Sequence, residues 1–175
     1  MNCQKSTCKA NELLKEYAGI CINNNFQPAI SLLSYLLQIE DIAQNLPIKG
    51  LSKWRFKSFE SLLLASGQFF GVENTAQKPR IEIGKRFEYT AQQQSPTKIY
   101  CEGVVLLPDA KVFEHAWLMD TKTGKAIDPF FNGLSYFGIP LMPQFVHQWN
   151  RGNGIISAEH GSVELLVEGL PVGAT

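Results

Sequence analysis

The sequence predicts an α+β domain in which N-terminal helices pack on a small antiparallel sheet. Three observations predict it. Apolar residues recur at helical spacing early in the chain: Leu13, Leu14, Tyr17, Ala18 and Cys21, then Ile30, Leu33, Leu37 and Ile42. Two runs rich in Val, Leu and aromatics, Cys101–Leu107 and Val112–Asp120, are joined by the polar Pro108-Asp109-Ala110-Lys111 and read as a β-hairpin. A second turn, Thr121-Lys122-Thr123-Gly124, leads to Lys125–Asp128 and completes a three-strand meander.

The first helix is predicted over residues 9–22, ended by Asn23-Asn24-Asn25. A second covers 28–46, with Pro28 suited to its first turn. It is broadly apolar, so burial or an oligomer interface is expected for it. Pro47 and Gly50 break the chain. A third helix is predicted over 52–67, with Gly67 as its C-cap. Residues 68–80 read as a loop, and 80–90 alternate in part, which suggests a strand. Residues 143–150 suggest a short helix, Val163–Val167 a last strand, and Gly169–Thr175 a loose tail. The organisation expected is one domain: a helical segment over 1–50, a core over 51–170 and a tail over 171–175.

The chain has 175 residues, 45% hydrophobic and 18% charged, enough for a proper core. Sixteen basic and sixteen acidic residues give a formal net charge of +0. That argues against nucleic acid and against a polybasic membrane surface as partners. No apolar run reaches membrane-spanning length, and Met1–Cys8 lacks the apolar core of a signal peptide. A cytoplasmic location is the expectation. The four cysteines, Cys3, Cys8, Cys21 and Cys101, show no Cys-x-x-Cys spacing, so thiols rather than a zinc site are expected.

His115 lies in the middle of one strand of the meander and Asp128 at the end of the next, 13 residues on (128 − 115). Adjacent antiparallel strands can set such a pair side by side. A carboxylate bonded to one imidazole nitrogen fixes the tautomer and leaves the other nitrogen free as a base. Alternation puts Phe113, His115 and Trp117 on one face, where the indole would limit water access. If Gly103 lies opposite His115, Cys101 shares that face and becomes a candidate nucleophile. A satisfied polar pair with no chemistry explains the same residues equally simply.

Cys101-Glu102-Gly103, Glu114-His115-Ala116-Trp117, Ile127-Asp128-Pro129 and Tyr136-Phe137-Gly138 follow one another in order. Together they resemble the transglutaminase-like branch of the papain-like superfamily, in particular small bacterial and phage proteins, over roughly residues 55 to 146. The resemblance implies a papain-like or transglutaminase-like fold whose nucleophile is a cysteine opening a helix, followed by an aromatic residue. The matching position here is Ser58, followed by Phe59, 57 residues before His115 (115 − 58). A helix N-terminus suits a nucleophile because free N–H groups and the dipole stabilise a thiolate or an oxyanion.

The implied activity is acyl transfer or amide hydrolysis on a peptide or protein substrate, without metal or cofactor. Ser58, His115 and Asp128 would form the triad, and Glu102, Trp117 and Phe59 would contact substrate. The departure is the serine, which needs a stronger base than a thiol does. Ser58 fits a Cys→Ser replacement, a natural serine in a non-catalytic member, or a working serine nucleophile. It also fits a plain N-cap. The alternative function is therefore an inactive member of the fold that binds a peptide or protein.

Overall fold

A computed structural model describes residues 26–46, 53–73, 85–149, 152–157 and 161–175. The helix predicted over 9–22, together with Cys3, Cys8 and Cys21, lies outside the described residues.

The fold is mixed α and β, built on a closed five-stranded barrel. In chain order its elements are α1 (Phe26–Asn45), α2 (Phe59–Ser66), β1 (Gln68–Glu73), α3 (Arg86–Gln92), β2 (Lys98–Leu106), β3 (Val112–Asp120), β4 (Lys125–Ile127), β5 (Ser135–Leu141), α4 (Pro143–Trp149) and α5 (Val163–Glu168). The expected meander is present: β2 pairs with β3 from Lys98–Asp120 to Leu106–Val112, and β3 pairs with β4. The barrel order is β1-β4-β3-β2-β5.

The sheet is not wholly antiparallel as expected, because β1 runs parallel to β4 and antiparallel to β5. Those two pairings close the barrel. Closure also explains why Gln68–Glu73, read from sequence as loop, forms a strand: Phe69 and Phe70 are both buried, one on each side of the sheet.

Two core clusters follow from strand alternation. Outside the barrel, Tyr100, Val104, Leu106, Ala116 and Phe137 pack with Leu32, Leu33 and Leu36 of α1 and Phe59, Leu62 and Leu63 of α2. Inside it, Phe70, Cys101, Val105, Trp117, Ala126 and Tyr136 fill the lumen. The buried side chains of α1 (Ala29, Leu32, Leu33, Leu36, Leu37, Ala43) form one stripe, so this helix is amphipathic rather than buried all round. Its Ile42 faces solvent, as does Leu46 just after it.

Other sequence expectations need correction. Residues 53–58 precede the helix rather than belonging to it. They run beside α5, with Phe56 N–H donating to Leu166 O at 2.9 Å. Two basic residues of that run cap helix ends: Lys57 Nζ donates to Gln44 O of α1 and Arg55 Nη1 to Glu168 O of α5. The strand expected within 80–90 is a helix in its described part, Arg86–Gln92. Val163–Val167 is helical too: adjacent Leu165 and Leu166 are both buried, which no half-buried strand permits. The tail is held rather than loose at its end, since Ala174 is buried and its carbonyl accepts from Met142 N–H at 2.8 Å.

Candidate active site

His115 and Asp128 meet inside the barrel. His115 Nε2 lies 2.9 Å from Asp128 Oδ2, and the two side chains are 0% and 2% exposed. Asp128 sits just past β4, on the face shared by Ala126, and its loop fixes it. Oδ1 accepts from the backbone N–H of Phe130 at 2.8 Å and of Phe131 at 3.2 Å. Pro129 between them offers no N–H, so the Asp-Pro step turns the chain while the next two amides close on the carboxylate. Oδ2 also accepts from the Tyr136 hydroxyl at 2.9 Å. An acceptor-only carboxylate requires Nε2 of His115 to carry a proton, and in the neutral ring that leaves Nδ1 as a lone pair.

Nδ1 is buried and has no hydrogen-bond partner among the described residues, and neither has Trp117 Nε1. Three rings enclose the imidazole: Phe131 at 5.1 Å, Phe113 at 5.7 Å and Phe130 at 6.0 Å between centroids. Helix α3 lies over two of them, with Arg86 on Phe113 and Tyr89 edge-on to Phe130. Water is thus excluded mainly by phenylalanines. Trp117, expected to do this, sits deeper in the lumen, 5.4 Å from Phe70 and 5.2 Å from Tyr136.

Ser58 stands apart from this pair. It is the N-cap of α2, with extended backbone (φ −155°, ψ 167°). Its Oγ accepts from Ser61 N–H at 3.2 Å and lies 3.3 Å from Ser61 Oγ. The buried side chains of α2 share a cluster with Ala116, whereas Trp117 belongs to the lumen. By alternation His115 points the same way as Trp117, away from α2. Glu114 points toward the helices: the Tyr35 hydroxyl is pushed up first by burial and then by the Glu60 and Glu114 carboxylates. No hydrogen bond joins Ser58 to His115: Nε2 is engaged by Asp128, and Nδ1 is without a partner among the described residues. As a working cap, Ser58 should contribute stability. Ser58→Ala is expected to cost about 1 kcal/mol in urea unfolding, with the loss confined to the start of α2.

Cys101 faces the lumen as the sequence register suggested. It pairs with Trp117, and Gly103 pairs with His115. Its Sγ lies 3.6 Å from Ile99 O. Burial pushes its thiol well up, which opposes the thiolate a nucleophile needs.

The expected substrate contacts also have internal partners. Phe59 is buried in the outer core. Glu102, 1% exposed, accepts from Tyr100 hydroxyl, from Ile155 N–H at 2.8 and 2.7 Å, and from Ile156 N–H at 2.6 Å. Burial raises its carboxyl, and those three donors pull it back down. The role of Tyr136 had a sequence signal that went unused, a tyrosine eight residues after Asp128 in the Tyr-Phe-Gly segment.

Three of the surface clefts formed by described residues stand out. One, of 630 Å³, runs past Trp149, Asn153, Gly154, Ile155, Ser162 and Glu164. A second, 560 Å³, separates α3 from α4 near Gln92 and His147. A third, 390 Å³, lies between α1 and the β2–β3 turn near Tyr35 and Pro108. None of the three is lined by Ser58, His115 or Asp128. Among the described residues no group of three or more His, Cys, Asp or Glu could hold a metal ion, and no helix is long and apolar enough to cross a membrane. No family model, curated protein or solved structure matches the chain.

Proposed function

We propose that this chain is a catalytically silent relative of the transglutaminase-like and papain-like proteins, and that it works by binding a peptide or protein. One observation carries the reading. Ser58 caps α2 on the helix side of β3, while His115, fully buried, points to the lumen side. Among the described residues the imidazole therefore has no activated nucleophile beside it, since burial holds the Cys101 thiol protonated, and the His–Asp pair acts as a polar unit that shapes the core. The 630 Å³ cleft, with an aromatic side chain and several polar groups along it, suits an extended ligand.

A second reading is favoured by the lone pair of Nδ1. An oriented imidazole with a free nitrogen is what acyl transfer requires. On that reading Ser58, or a cysteine in its place, attacks the carbonyl, His115 carries the proton and Asp128 orients His115. It needs α2 to shift so that Ser58 reaches Nδ1.

Installing a thiol separates the two readings. Ser58→Cys is expected to react with thiol-directed acylating probes at the rate of an ordinary helix N-cap cysteine, and adding His115→Ala should leave that rate unchanged. A fall of tenfold or more in the double variant, or amide hydrolysis by the single variant, would sink the binding reading and establish a poised triad.

A further inference from the structure

Asp128 presents two oxygens to four donors. Oδ1 takes the Phe130 and Phe131 amides, and Oδ2 takes His115 Nε2 and the Tyr136 hydroxyl, each at 2.9 Å. The Tyr136 hydroxyl has one proton and two acceptors in reach, Asp128 Oδ2 at 2.9 Å and Phe131 O at 3.2 Å. The carboxylate is closer and charged, so it takes the proton. Gly133 N–H donates to the phenol oxygen at 2.9 Å and fixes the ring from the other side. The ring itself fills the lumen against Trp117, as phenylalanine would, so the hydroxyl serves Asp128 and the Gly133 amide.

We propose that Tyr136 is a positioning residue for His115: by sharing Asp128 Oδ2 it fixes the carboxylate's rotation, draws off part of its charge, and so moderates the hydrogen bond that holds His115 as the Nε2–H tautomer with a bare Nδ1. The division is chemically necessary. Two donors on one oxygen each receive less of its electron density than either would alone, so removal of the phenol strengthens the imidazole's bond. Among the described residues, no charged side chain other than Asp128 is placed against His115 at the lumen. Facing His115 are Gly103 and Cys101 from β2, Phe113 and Trp117 from β3, Phe130 and Phe131 beside Asp128, and Tyr136 from β5. Arg86 and Tyr89 of α3 lie beyond Phe113 and Phe130, and Glu102 and Glu114 lie on the opposite sheet face. The inference concerns the proton and orientation of the imidazole alone. It holds whether His115 serves a nucleophile or only the core, so failure of either functional reading leaves it standing.

The test is a long-range ¹H–¹⁵N correlation spectrum of the histidine rings in the full chain. His115 is expected as the Nε2–H tautomer, with a slowly exchanging Tyr136 hydroxyl proton showing a cross-peak to the Nε2 proton. Tyr136→Phe should move the Nε2–H resonance downfield. Where that variant fails to fold, biosynthetic replacement of tyrosine by fluorotyrosine decides, since it keeps the hydroxyl and makes it a stronger donor. The Nε2–H resonance should then move upfield, opposite to the Phe variant. The phenol stays protonated throughout, because burial first and the Asp128 charge second push its ionisation far up. An Nδ1–H tautomer in the wild type, or an Nε2–H resonance that does not respond to fluorotyrosine, overturns the proposal.

Discussion

Gly103→Ala is expected to cost about 3 kcal/mol or more, a large fraction of the roughly 5–15 kcal/mol that holds a domain folded. Gly103 pairs with His115 on one side and with Gly138 on the other. A Cβ there would stand 2.2 Å from the Phe137 carbonyl oxygen and 2.4 Å from Gly138 Cα. Both atoms are backbone in a closed barrel, so neither can turn away. Gly138 is equally constrained, with a Cβ meeting Glu102 O at 2.3 Å and Trp117 Cη2 at 2.5 Å. The two glycines let β2 and β5 approach while the Trp117 indole lies over them. Gly124 is the control. It sits at φ +67° with nothing within 4 Å, so Gly124→Ala meets only left-handed strain of about 1–2 kcal/mol. Urea midpoints of the two variants should differ by that margin in stability. Equal midpoints would mean that β2 and β5 do not approach as described.

This pair of glycines also explains what the sequence motifs report. Glu-Gly supplies Glu102 and Gly103, Tyr-Phe-Gly supplies Tyr136 and Gly138, and Ile-Asp-Pro supplies Asp128 and its turn. In this structure each of these residues builds the barrel or fastens something to it. The motifs therefore first report packing requirements, and only through the His–Asp pair do they bear on chemistry.

The β2–β3–β4 meander was legible because β-rich runs and turn residues alternate cleanly, and that spacing also brought His115 beside Asp128. The closing strand β1 was not, because Gly67 and Gly71 flank only two aromatics, and its partners β4 and β5 lie far along the chain. Phe87-Glu88-Tyr89 alternates as a strand would, yet Phe87 and Thr90 are the buried positions, three apart, and the segment is a helix. Most consequential was the face of His115. Alternation assigns residues to two faces of β3 but does not say which face meets the helices and which becomes the lumen. Barrel closure decides that, through a parallel pairing that local pattern does not encode. Ser58 instead caps α2, with no hydrogen bond to His115.

Glu102→Leu is expected to be the second severe lesion, costing about 4 kcal/mol, with Glu102→Gln at about 2 kcal/mol. Two effects oppose each other. Burying a carboxylate is expensive, and burial does raise its carboxyl, so an apolar replacement removes a real penalty. That replacement also strands the Tyr100 hydroxyl and the Ile155 and Ile156 amides, three buried donors at about 1–3 kcal/mol each. The stranded donors outweigh the relief, because none of them is removed by the substitution. Glutamine keeps the shape but must turn its NH₂ toward one set of donors. Facing Tyr100 is the cheaper choice, since a phenol oxygen can rotate to accept. The injury should also be local. Glu102 ties Ile155 and Ile156 to the barrel, and Gly154 and Ile155 line the 630 Å³ cleft. Amide exchange at Ile155 and Ile156 should therefore accelerate in Glu102→Gln well before global unfolding does. A Glu102→Leu variant as stable as the wild type, with both amides still protected, would mean that the loop holds itself and that the carboxylate is a passenger. The expected outcome makes Glu102 the link between barrel and cleft: it shapes the cleft from beneath, as a buried anchor.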